Sequence, residues 1–213
     1  MASVASLREH LVEELNDLLN AEQQLITAIP QMAQKASRPE LRAAFRSHLA
    51  ETKGHVKRAT EALKLLGETS AGKACEAMEG LLEEGEELMK SADGGALRDA
   101  MLITAAQKVE HYEIASYGTV RTYAEVLGEQ EVVRLMAQTL KEEKAADKKL
   151  TSIAETSVNG RAAKEWHAQS GMVEQGAEWI GSTVGAIKTM MPSQAADRSK
   201  KRTVSRRSRR ARR

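Results

Sequence analysis

The sequence predicts an all-α protein, an up-down four-helix bundle with a long middle connection that contains a short helix, followed by a C-terminal helical extension. Three observations carry this. Residues 1–160 are rich in Ala, Leu, Glu, Lys, Gln and Met, all good helix formers, and no β-branched run alternates as a strand would. Only three prolines occur in 213 residues. Four long segments repeat apolar residues at three- and four-residue spacing, separated by two tight turns and one long link.

The first helix opens at Ser6-Leu-Arg-Glu9, a capping box, and carries positions 7, 11, 15, 18, 22, 25 and 29 on one face as far as about Lys35, with a bend expected near Pro30. A second box, Ser37-Arg-Pro-Glu40, opens a helix with the stripe Leu41, Phe45, His48, Thr52, His55, Ala59 and Leu63, which stops before Gly67. Cys75 to Lys90 is the short connecting helix, and Cys75 itself is expected to be a structural, partly buried thiol. After Asp93-Gly-Gly comes a third long helix, about Leu97 to Leu127, facing inward with Leu102, Ala106, Val109, Glu113, Ser116 and Val120. Gly128 separates it from the fourth, Glu129 to about Val158, with Val133, Met136, Leu140, Glu143, Asp147, Leu150 and Ala154 in phase. The organisation expected is a bundle over 1–160, an amphipathic helix over 161–191 and a basic tail over 192–213.

Composition excludes several classes. Cys75 is the one cysteine, so no disulfide scaffold is available. No apolar run approaches the roughly 18 residues of a membrane span, and MASVASLREHLVEEL lacks the basic and apolar regions of a signal peptide, so a cytoplasmic protein is expected. The formal charge of +2 conceals an asymmetry. Ten basic residues and no acid lie between Arg198 and Arg213, which leaves about −8 for residues 1–197.

Every long stripe is interrupted near its middle by ionisable residues: Glu22 on the first, His48, Glu51 and His55 on the second, Glu110 and Glu113 on the third, Glu143 and Asp147 on the fourth. Any one of them alone reads as a solvated helix-edge residue. Their heights, however, coincide. Counted from the turn near Arg38, Glu22 and Glu51 are offset by about 4.5 Å along the helix axis, and counted from Gly128 so are Glu110 and Glu143. Burying unpaired carboxylates costs several kcal/mol each. A pair of divalent cations held by inward Glu and His compensates that cost, as in ferritin-like carboxylate proteins. A further hint of a twofold site is that AEQQLITAIPQMAQKA from Ala21 aligns with VEHYEIASYGTVRTYA from Val109, setting Glu22 on Glu110. Tyr112 and Tyr117 flank this region and read as packing or boundary aromatics.

At these residues the sequence resembles the YciE/YciF family of bacterial stress-associated ferritin-like proteins. The likeness covers about residues 6–160 and is carried by AEQQLITAIPQMAQKA, HLAETKGHVKR, CEAMEGLLEEGEEL, VEHYEIASYGTVRTYAEVLG and TLKEEKAADKKLTSIAETSVN. It implies a ferritin-like bundle and a homodimer or higher homo-oligomer. Likeness to rubrerythrin-type relatives implies ligand positions at Glu22, Glu51, His55, Glu110, Glu113 and Glu143. This chain departs at Asp147, where those relatives have His, and its His55 follows Glu51 by four residues rather than three. One ion of an iron or manganese pair would then have an all-oxygen shell, and His48 stays open as an alternative ligand to His55. No rubredoxin-like cysteine module is present, so an electron donor would be external.

Residues 162–190 carry Trp166, Met172, Val173, Trp179, Ile180, Val184 and Ile187 in helical phase, read as a helix packed on the bundle or on a second subunit. The stretch DRSKKRTVSRRSRRARR lacks apolar anchors and is expected to be disordered and to bind a polyanion such as DNA without sequence preference. Two functional readings result. One is a di-metal oxidoreductase that oxidises Fe(II) or reduces peroxide under oxidative or general stress; the other is a non-catalytic stress or nucleoid-associated protein that binds DNA through residues 198–213.

Overall fold

A computed structural model of the chain describes residues 5–70, 72–168 and 170. The chain divides at Ala168, and the helical bundle lies within the first unit, Met1–Ala168. The helical stripe from Met172 onward and the basic tail lie outside the described residues.

Among the described residues five α-helices form: α1 Leu7–Lys35, α2 Pro39–Leu65, α3 Glu76–Lys90, α4 Gly95–Val126 and α5 Gln130–Ile153. No strand occurs among the described residues. Ser6 caps α1 by accepting from the Glu9 amide at 3.2 Å, and the Glu9 carboxylate reaches back to the Ala5 amide at 2.6 Å, so the first capping box closes one residue early. α1 runs on through Pro30 to Lys35.

The second capping box does not form. Pro39 occupies the first helical turn of α2, Arg38 ahead of it is extended, and neither residue supplies a side-chain cap. The free amides of Ser37 and Arg38 donate instead to the two oxygens of Asp99, at 2.7 and 3.0 Å, reaching across from the start of α4. The fully buried Asp99 thus ties the first residues of α2 to the first turn of α4. At the far ends of α2 and α4 the chain turns through Gly67 and Gly128, whose φ angles of 74° and 80° favour a residue without Cβ.

That tie fixes the topology. α2 and α4 both start at the end where Ser37 meets Asp99, so the link carrying α3 brings the chain back along the bundle and the directions run up, down, down, up. α1 packs on α2 and α4, and α5 on α4 and α2, so each neighbouring pair is antiparallel. The core is split. One apolar cluster around Leu25, Ile29, Leu41, Phe45, Leu102 and Leu150 fills one end, and another around Leu11, Leu15, Leu18, Leu63, Val120 and Met136 fills the other.

α5 passes into a single π turn at Ala154–Val158, and helix continues over 159–168, where Trp166 is 62% exposed. The Glu165 carboxylate accepts from the Ala96 amide at 3.0 Å, capping the start of α4. Cys75 is fully buried rather than partly so, and its sulfur accepts from the Met78 amide at 3.4 Å as the cap of α3. No helix among the described residues is long and apolar enough to cross a membrane.

Replacing Asp99 by Ala would leave two amides without their acceptor. The expected loss is about 1–3 kcal/mol, read as a lower midpoint in urea unfolding; an unchanged midpoint would show the tie to be dispensable.

Candidate metal centre

Between the two apolar clusters lies a polar layer. Glu22 from α1, His48 and His55 from α2, Glu110 and Glu113 from α4 and Glu143 from α5 meet there, none more than 9% exposed. Their ligand atoms fall into two groups, each within 4.8 Å of one another: His48, Glu110, Glu113 and Glu143, and Glu22, His55 and Glu143. Glu143 belongs to both. Its Oε1 lies 2.7 Å from His55 Nδ1 and its Oε2 lies 3.8 Å from His48 Nε2, so one carboxylate faces the two groups with different oxygens. His48 Nε2 is 3.3 Å from Glu110 Oε1, and His55 Nδ1 is 3.2 Å from Glu22 Oε1.

The helices deliver these side chains by phase. On α2 the buried line is His48, Thr52, His55, so both histidines face inward one after the other and Glu51 stands to the side, with its side chain 42% exposed. On α5 the buried line runs through Val132, Met136, Thr139 and Glu143, then passes between Ala146 and Asp147, both half-buried. Asp147 accordingly lies outside both groups and accepts from Gln107 Nε2 at 3.0 Å, with His111 Nε2 at 3.4 Å. Of the residues expected from sequence to gather here, Glu22, His48, His55, Glu110, Glu113 and Glu143 are brought together, whereas Glu51 and Asp147 flank them.

The comparisons with known proteins agree with this arrangement of helices. A family model described as a domain of unknown function, DUF892, matches residues 6–163. The chain belongs to the DUF892 family. It is 42% identical over 161 residues to protein YciF of Escherichia coli (strain K12), covering 75% of this chain and 97% of YciF. The crystal structure of the E. coli stress protein YciF matches at a TM-score of 0.71 and 43% identity, over 73% of this chain and 99% of that one. The resemblance to the YciE/YciF family read from the sequence is thereby established. A ferritin-like, diiron-carboxylate protein from Bacillus anthracis str. Ames matches at a TM-score of 0.54 and 21% identity, over 70% of this chain and 99% of that one, which places the DUF892 chain in the ferritin-like fold.

The electrostatics of the layer are those of acids without enough partners. Burial drives Glu113 well above the usual carboxylate range, with Glu22, Glu143 and Glu110 adding repulsion. Burial likewise pushes Glu110 up to about 10, and Glu143 beside it contributes. Glu22 rises through burial, offset in part by His55. For His55 burial opposes the charged form, but Glu143 and Glu22 outweigh it and raise the ring to about 10. Both oxygens of Glu113 and one each of Glu22 and Glu110 are buried with no hydrogen-bond partner among the described residues, and the two oxygens of Glu143 have only the ring nitrogens of His55 and His48 beside them, out of hydrogen-bond geometry. Such a set of orphaned oxygens with two imidazole nitrogens is what hard and borderline divalent cations accept, so the residues fit a metal pair.

Each histidine also has an outward nitrogen. His55 Nε2 meets Glu142 Oε2 at 3.0 Å, and Glu142 is further held by Arg58 and by Gln138 Nε2 at 3.1 Å. Those partners outweigh its partial burial and keep Glu142 below the usual range, so it is an acceptor and His55 Nε2 carries the hydrogen. Nδ1 is then the nitrogen that faces the cluster. His48 Nδ1 lies 3.5 Å from Glu51 in the corresponding position. Glu142 was not singled out in the sequence; its one signal is that it adjoins Glu143 on α5. Tyr117 is fully buried and donates to Glu22 Oε1 at 2.6 Å, so it is more than a packing aromatic. Tyr112 donates to Asp17 Oδ2 at 2.7 Å and lies 3.1 Å from the Cys75 sulfur.

In chelator-treated protein the folded state holds protons on Glu22, Glu110, Glu113 and His55 that the unfolded chain releases as pH rises from about 4.5. Stability should therefore fall continuously as pH rises toward 10, and thermal melts across that range should show it; a stability that rises with pH would contradict the buried, protonated acids. Replacing Glu142 by Ala removes the acceptor that orients His55, and the expected loss is about 10-fold in divalent-cation affinity by calorimetry, with little change in the fold.

Proposed function

We propose that this protein holds a pair of divalent cations, iron or manganese, in its polar layer and uses them to handle oxidants under stress, by Fe(II) oxidation or peroxide reduction. The observation that supports this best is the position of Glu143, one carboxylate shared by two ligand groups and facing their histidines with different oxygens. His48, Glu110 and Glu113 would hold one ion, Glu22 and His55 the other, and Glu143 both. In this proposal Glu51 and Asp147 stand outside the ligand set, Glu51 as the outward partner of His48. The ferritin-like fold and the stress protein YciF as a relative support the same reading.

A metal pair held this way would supply a redox-active centre and Lewis acidity. The chain's own residues do the rest. Tyr117 fixes Glu22 by donating to its Oε1. Glu142 holds the proton of His55 Nε2 at the solvent side, and Arg58 anchors Glu142 while donating through Nε to Thr139 Oγ1 at 2.8 Å. The apolar clusters above and below shield the layer at both ends, which strengthens the charge interactions within it. With Cys75 engaged as a helix cap, reducing equivalents come from another molecule.

A second reading rests on the ten basic residues between Arg198 and Arg213, which lie beyond the 6–163 matched by the family model. They give this chain an arm suited to a polyanion such as DNA, independent of the bundle. Gel shifts at rising salt should show binding by the whole chain and its loss for residues 1–197; retention without the tail would remove this reading.

Metal analysis after anaerobic Fe(II) or Mn(II) loading decides the main proposal. About two ions per chain are expected, falling below one when Glu143 is replaced by Ala. A folded wild-type protein that takes up no metal after loading would refute it.

A further inference from the structure

Beside the polar layer, between α2 and α5, a cleft of about 100 Å³ runs inward from solvent to His48 and Glu110. Small side chains keep it open: Ala44 on α2 and Ala145 on α5 stand where longer residues would close the helices over it. Its floor is aliphatic, formed by Leu25, Ile29 and Val109, and its wall includes Phe45, the one phenylalanine of the chain, and the thioether of Met32. At its inner end His48 is 9% exposed and Glu110 3% exposed; His48 Nδ1 has only Glu51, at 3.5 Å, and Glu110 Oε2 has no hydrogen-bond partner among the described residues. The proposed metal pair uses His48 and Glu110 at the inner end but not the aliphatic and aromatic space outside them.

We infer that the cleft binds a neutral, single-ring hydroxyaromatic compound, a phenol in its simplest form, with the ring against Phe45 and Met32 and the hydroxyl toward His48 and Glu110. Size limits the occupant to a single ring: an apolar cavity of roughly 150 Å³ takes a benzene-sized molecule, and this cleft, at about 100 Å³, is smaller but open at one side. An aromatic occupant gains ring–ring and sulfur–ring contacts with Phe45 and Met32 that an aliphatic one does not. Charge sets the neutrality. The four carboxylates Glu22, Glu110, Glu113 and Glu143 balance two divalent cations, so no surplus positive charge draws an anion to the inner end. At the mouth Glu51 and Lys149 carry opposite signs. A hydroxyl both donates and accepts, which suits an end offering an imidazole and a carboxylate. The inference deepens the metal-centre reading and rests on it for the ligand's place beside the cations, though not for its binding.

The test is phenol binding to the full-length protein, followed by NMR shift titration and calorimetry with and without Mn(II). Saturable binding is expected, with benzoate at least about tenfold weaker. Ala44→Leu, and Ala145→Leu at the exposed mouth where folding is not at risk, should each weaken phenol by about tenfold while leaving metal content unchanged. The absence of saturable phenol binding, benzoate binding as tightly as phenol, or both variants binding like wild type would overturn the inference. Metal uptake without phenol binding removes the cleft and leaves the metal centre standing; phenol binding by a protein that takes up no metal supports the cleft and removes the metal centre.

Discussion

The structure is organised around one unfavourable act: four carboxylic groups and two imidazoles are withdrawn from water at the same height of one bundle. A buried carboxylate without a partner is among the most destabilising features a core can contain. Here the two histidines cannot satisfy the four acids, and Glu113 meets no donor among the described residues. A protein selected for stability alone would have continued the leucine stripes through this layer, since the apolar clusters on either side show how well these helices pack. Positive charge from outside the chain is the compensation that matches the ligand types and their division into two groups.

The rest of the fold serves to hold that layer. The return of the chain along the bundle sets α4 antiparallel to α1 and parallel to α2, and Asp99 fixes the axial register of α4 against α2 by accepting from the Ser37 and Arg38 amides. With that register, Glu110 and Glu113 meet His48 rather than a neighbouring turn. Orientation is then refined from outside. Glu142 and Glu51 stand on the solvent side of His55 and His48, and Tyr117 stands behind Glu22, so inward groups have an outward or lateral partner that limits their rotation.

Much of this was legible in the chain of letters, because helix phase and rise are rigid enough to be counted. α1 begins and ends where Ser6 and Lys35 suggested, the stripe Leu41 to Leu63 is buried throughout, and the coincidence of heights among Glu22, Glu110 and Glu143 is what the buried layer displays. Phase also carried a warning about Glu51: the α2 stripe already passed through Thr52, one position on, which leaves Glu51 at the edge. Asp147 was less readable, because it follows Glu143 by four residues and four residues overshoot a full turn; the drift carries it outward where Ala146 shares the layer. Contacts between helices far apart in sequence left no local mark. Asp99 capping α2, Tyr117 reaching Glu22 and Glu142 reaching His55 span 61 to 95 residues and depend on register that no single helix encodes.

The central claim is that protons occupy the buried acids until cations replace them. Anaerobic calorimetric titration with Mn(II) near pH 7, repeated in buffers of different ionisation enthalpy, counts the protons released per ion bound. The account predicts a net release of at least about one proton per ion, drawn from Glu113, Glu110, Glu22 and His55. Binding with no proton release, or no binding by a folded protein, would contradict it.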